Sequence, residues 1–174
     1  LAMSGVTTLQ ADQNIAIGKN ALVGTSATAG TDNVAIGSNA LTALTTGSNN
    51  VAIGLSAADA ITIGNNNVAI NKNALGAATI GNCNVAIGIC AMGGVTTLQA
   101  DGNIAIGACA LVGTSSTAGD QNIAIGVAAM DALTTGACNI AIGLNALGDS
   151  TIGNKNVAVG FGAMSGVTTG QADR

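Results

Sequence analysis

A pentapeptide of the form Asn-(Val/Ile)-Ala-(Ile/Val)-(Gly/Asn) begins at Asn14, Asn33, Asn50, Asn67, Asn84, Asn103, Asn122, Asn139 and Asn156, at intervals of 19, 17, 17, 17, 19, 19, 17 and 17 residues. So regular a period admits few folds, because each repeat is one unit that cannot bury its own apolar face and must stack on its neighbours. Within Asn33 to Asn49 the order is NVAIG, a short corner, Ala-Leu, a variable stretch, Thr-Thr-Gly and a polar corner. Repeats of 19 residues carry two more at that last corner, as in LQADG. A longer similarity lies over this one: MSGVTTLQADQ from Met3 returns as MGGVTTLQADG from Met92 and as MSGVTTGQADR from Met164, so whole blocks of coils look duplicated.

Val34, Ala35 and Ile36 alternate large, small, large, with β-branched residues at the large positions and Gly37 closing the run, which points to a short strand. Glycine every few residues argues against long helices, at roughly 1 kcal/mol per interior glycine. The fold class expected is all-β, a parallel β-solenoid (β-roll) of 17- and 19-residue coils. One domain covers 1–174, with a partial coil over 1–13 and nine coils over 14–174. With Val34 and Ile36 taken as inward-pointing, the alanine between them points out. A second strand is expected through the Thr-Thr or Thr-Ile segment. At about 4.8 Å per coil, ten coils make a rod roughly 45 Å long.

Composition agrees with a rod. The chain has 26 Gly, no Pro and one aromatic residue, Phe161, so large side chains cannot fill its interior. It is 48% hydrophobic and 7% charged, which argues against simple disorder. Four scattered cations, Lys19, Lys72, Lys155 and Arg174, make no basic patch, so no nucleic-acid partner is expected. No stretch of 18 apolar residues suggests membrane insertion. The sequence begins at Leu1 without a signal pattern, which suggests a mature product or a fragment.

Three columns emerge when the coils are aligned. An Asn ladder (Asn14, Asn33, Asn50, Asn67, Asn84, Asn103, Asn122, Asn139, Asn156) can bond up and down the stack and stabilise a corner. An outward alanine column (Ala16, Ala35, Ala52, Ala69, Ala86, Ala105, Ala124, Ala141, Ala158) suggests a flat face packed against another rod. A hydroxyl ladder (Thr7, Ser26, Thr45, Thr62, Thr79, Thr96, Ser115, Thr134, Thr151, Thr168) is the one regular polar face.

Chemistry has little to work with. With no His and no Glu, only Asp pairs remain for acid–base work, so no enzyme, catalytic residue, metal or cofactor is expected. Asp12, Asp101, Asp120 and Asp173 share a corner column, with Asp32 one position on, and read as turn caps ahead of a weak calcium site. Cys90 and Cys109 belong to consecutive coils and lie within disulfide range, whereas Cys83 and Cys138 are three coils apart and cannot pair within the chain.

At Asn50, followed by Val51-Ala52-Ile53-Gly54, the chain resembles the YadA-like head repeats of trimeric autotransporter adhesins. From Asn33 to Asn50 it is similar to related bacterial and phage tail-fibre repeats of the form NxAIGxNAL…TTGxxN. The resemblance covers the whole chain, although these coils are longer than the usual head repeat and neither a coiled-coil stalk nor a membrane anchor accompanies them. It implies a left-handed β-roll that trimerises and displays an adhesive surface. The function expected is therefore a structural or adhesive segment of an extracellular fibre on a cell or virion, with itself as partner and a host-surface ligand beyond. Two alternatives stand beside it: an ice-binding solenoid using the hydroxyl ladder, and a subunit that joins head to tail into a filament.

Overall fold

The computed structural model describes residues 13–24, 30–94, 101–113, 119–149 and 152–166. Nine three-residue strands follow one another: β1 (Ile15–Ile17), β2 (Val34–Ile36), β3 (Val51–Ile53), β4 (Val68–Ile70), β5 (Val85–Ile87), β6 (Ile104–Ile106), β7 (Ile123–Ile125), β8 (Ile140–Ile142) and β9 (Val157–Val159). They form one sheet in sequence order, each pair parallel and in register, with alanine opposite alanine throughout. The chain is a parallel β-solenoid. Every junction repeats one pattern: Val34 N–H donates to Asn50 O at 2.8 Å, and Gly54 N–H donates to Ile36 O at 2.7 Å.

The strand faces are the reverse of the sequence expectation. The alanines of β2 to β9 are buried, and the flanking Val and Ile are half-buried or exposed on the outside. The reason is interior width. The coils also turn in a pair such as Ala40-Leu41, Ala57-Ala58 or Ala91-Met92 and a further apolar residue such as Leu44 or Ile61, all buried in the same core. Opposite those side chains there is room for a methyl group and not for an isoleucine. Core volume is traded between neighbouring coils: Ala58 goes with Ile61 in one, Leu75 with Ala78 in the next.

Backbone hydrogen bonds between coils continue beyond the strands. Leu41 N–H donates forward to Ala57 O at 3.1 Å, and Asn39 N–H donates back to Lys19 O at 2.9 Å. Both residues take positive φ, 50° and 60°. A left-handed conformation costs roughly 1–2 kcal/mol at a leucine, offset by a ladder bond and by the burial of the side chain. The position directly after the strand is more demanding. At Gly107 φ is +136°, and a Cβ there would sit 2.4 Å from the carbonyl oxygen of Gly126 in the next coil. Asn71 alone among the described residues replaces glycine in this column, with φ shifted to 101°.

No second strand forms in the Thr-Thr or Thr-Ile segment among the described residues. It holds one isolated bridge, Thr135 to Ile152, and single ladder bonds such as Thr62 N–H to Thr79 O at 2.9 Å. The partial coil over 1–13 lies outside the described residues save for Gln13, as do most of the residues at the longer last corners.

Candidate functional surfaces

The Asn ladder is the best-defined polar feature. Asn33 and its equivalents through Asn156 are buried, whereas Asn14 at the front is half-buried. Asn50 shows how each member works. Its Oδ1 accepts the N–H and the Nδ2 of Asn67, both at 3.0 Å. Its own Nδ2 donates to Asn33 Oδ1 at 3.0 Å and to Gly64 O, fourteen residues on in its own coil, at 2.8 Å. One side chain thus ties a coil to both neighbours and closes the corner. The inference of a corner-stabilising ladder from sequence stands. A buried amide satisfied on all sides has no hydrogen-bonding capacity left for a ligand.

A second polar ladder escaped the sequence reading because its residue type changes from coil to coil. Thr31, Ser48, Asn65, Asn82, Asp101 and Asp120 share a corner column. The N–H of each of the first five donates to the side chain of the next: Asn82 N–H to Asp101 Oδ1 at 2.8 Å, Asp101 N–H to Asp120 Oδ1 at 2.9 Å. It runs opposite to the buried Asn ladder, where the acceptor lies in the preceding coil. Asp101 and Asp120 are therefore turn caps. Asp12 and Asp173 lie outside the described residues, and Asp32 accepts from the Thr31 hydroxyl at 2.9 Å.

Among the described residues the hydroxyl ladder is not the free polar face expected of it. Thr45 and Thr62 are half-buried, and their hydroxyls donate to the backbone carbonyls of Thr62 and Thr79 at 2.9 and 3.0 Å. Thr79 and Thr134 are likewise half-buried. Thr7, Ser26, Thr96, Ser115, Thr151 and Thr168 lie outside the described residues. The neighbouring column faces out, with Thr46, Ile63, Thr135 and Ile152 exposed. Two successive residues on a bend point to opposite sides, and the tighter position is the one that can reach the next coil's carbonyl.

The alanine column does not form the packing face either: Ala35, Ala52, Ala69, Ala86, Ala105, Ala124, Ala141 and Ala158 line the core, with Ala16 packed partly against it. The sheet's outer face is instead made of Val and Ile. Beside it runs a mixed column in which Leu55, Ile89, Val127, Leu144 and Phe161 are exposed and Lys19, Ser38, Lys72 and Ala108 interrupt them. Eight steps of about 4.8 Å make this face roughly 38 Å long. Parallel sheets are ordinarily covered on both sides; among the described residues this one is covered on one.

All four cysteines are free thiols. Cys90 and Cys109 sit one above the other in the corner after the strand, and Cys83 and Cys138 at the corner before it. Two carboxyls are perturbed. Burial pushes Asp59 above the ordinary carboxylate range despite a hydrogen bond with Ser56, and burial does the same to Asp131, with a smaller contribution from the charge of Asp149. Among the described residues no three metal-ligating side chains come together, and no helix is long and apolar enough to cross a membrane.

Fold and surfaces define the class, a parallel β-solenoid with an inner amide ladder and an outer aliphatic face. No protein-family profile, curated protein or solved structure matches the chain.

Proposed function

We propose that this protein is a structural and adhesive segment of an extracellular fibre, on a cell surface or a virion, in which copies lie side by side as a homotrimer. The observation that supports this is the uncovered aliphatic face of the nine-stranded sheet. Monomers rarely expose a contiguous apolar patch beyond a few hundred Å², and a second copy presents a face of the same length and pitch. Three copies around an axis is what the resemblance to adhesin head repeats implies. Sedimentation equilibrium should return a mass near three chains, and a strictly monomeric species would sink the proposal. Replacing Ile87 and Ile125 by Lys should reduce the mass to one chain while the coils stay folded, since both side chains point outward.

A second reading, end-to-end assembly into a filament, has one observation in its favour. Each amide oxygen from Asn14 to Asn139 accepts the N–H of the next coil's Asn, whereas among the described residues the buried Oδ1 of Asn156 has no partner and nothing comes within 4 Å of where a Cβ on Gly160 would sit. Electron microscopy distinguishes the two, because rods of fixed length belong to the first and growing fibres to the second. The ice-binding reading has less support, since the hydroxyls of Thr45 and Thr62, two of the described members of the ladder, are bonded to the backbone. Absence of thermal hysteresis at high concentration would remove it.

A further inference from the structure

We infer that Cys90 and Cys109 together form a binding site for one Cu(I) ion, held between two sulfurs. The two residues are equivalent positions of consecutive coils, with the same backbone conformation, φ 56° at each. Hydrogen bonds pin the coils on both sides of the pair. Cys109 N–H donates to Ile89 O and Met92 N–H to Ala110 O, both at 2.9 Å. The pair is thus held at the ladder spacing of about 4.8 Å. Side chains of this column run alongside one another: Asn20 Nδ2 reaches Asn39 Oδ1 at 3.1 Å, and Asn73 Nδ2 donates to Cys90 Sγ at 3.9 Å.

That spacing admits more than one way of joining two thiols. A disulfide accepts Cα atoms at this separation, yet both residues are free thiols in the structure. Two metal–sulfur bonds of about 2.3 Å laid end to end span roughly 4.6 Å, close to the spacing of the stacked coils. Ligand number then selects the metal. Structural zinc takes four protein ligands, and no third His, Cys, Asp or Glu joins the pair among the described residues. Thiolates favour soft Cu(I), which accepts two-coordination. Cys109 is exposed and Cys90 half-buried, so the ion enters without opening a coil. The site ends at two sulfurs because Asn73 precedes and Ala128 follows in the column. On binding, each thiol releases its proton to solvent as its sulfur–copper bond forms. Copper remains Cu(I), and no electron is transferred.

The test is an anaerobic titration of the reduced full chain with Cu(I) against the coloured chelator bathocuproine disulfonate. One equivalent should be withheld from the chelator, and X-ray absorption should show two sulfur neighbours. Cys90→Ser and Cys109→Ser should each weaken retention at least about 100-fold; Cys83→Ser and Cys138→Ser should leave it unchanged. Serine suits the column, which already holds Ser56, and circular dichroism melts verify that each variant is folded. Retention by folded Cys90→Ser, loss on Cys83→Ser or Cys138→Ser, or release of all copper by the parent chain would each overturn the site. So would a Cys90–Cys109 disulfide on air exposure of a chain that takes no copper when reduced.

Discussion

The two corners that flank each strand are built on opposite principles. The corner entering the strand depends on a side chain: Asn33 through Asn156 are buried, and their amides carry the bonds that close the turn. The corner leaving it depends on the lack of one, because at Gly37 or Gly107 the next coil's backbone occupies the space of a Cβ. Two residues further on, at Asn39, Ser56, Cys90, Ala128 and Gly162, the leaving corner accepts many residue types although φ is positive at all of them. Residue identity in this solenoid is therefore dictated by burial and close approach, and a left-handed backbone alone dictates little.

The sharpest way to break the contrast is Gly107→Ala. It combines a φ of +136° with a 2.4 Å approach to a pinned carbonyl, and should cost about 4 kcal/mol, read as a large fall in the urea midpoint. Asn50→Ala comes next. It leaves the Asn67 N–H without its acceptor in a dry interior and empties the corner, for about 3 kcal/mol. Asn39→Ala, at the leaving corner, should cost less than about 1 kcal/mol by the same assay. Equal losses at Asn50 and Asn39 would erase the distinction.

The strand between the corners sharpens it further. Ala86 points into the core and Ile87 out, so Ala86→Val should overpack the coil by about 1–3 kcal/mol. Ile87→Thr should leave the melting of the isolated chain almost unchanged and weaken self-association instead, read by sedimentation.

The smallest effect concerns pH. Burial raises the folded-state pKa of Asp59 and Asp131 above the unfolded value. Their contribution is then fully present below the ordinary carboxylate pKa of about 4, and is lost as pH rises through the folded-state value. Acidification through the folded-state value toward about pH 4 should raise the melting temperature slightly, and the Asp59→Asn, Asp131→Asn pair should flatten that slope. An unchanged slope would place its origin in other carboxylates.

Much of the solenoid is legible in the chain because a repeat states its own register. The pentapeptide spacing specifies which residues stack, and the parallel pairing of Val34 on Val51 and Ala35 on Ala52 follows from it. The buried Asn corner is legible for the same reason, since one residue type recurs at one place. The second corner ladder is not, because hydroxyl, amide and carboxylate oxygens all accept the same N–H and the column from Thr31 to Asp120 shows no single letter. A Thr-Thr pair likewise looks like a strand with a free polar face, and only the path of the bend turns the Thr45 hydroxyl onto a carbonyl.

What the sequence determined by itself is the period, the register and the amide corner, all local properties copied from coil to coil. The tertiary structure decided which side of the strand is inside. Alternation allows two answers, Val and Ile inward or Ala inward, and nothing within the three residues chooses between them. The choice comes from across the coil, where Leu41 and Leu44 take up the interior and leave opposite them only the depth of a methyl group.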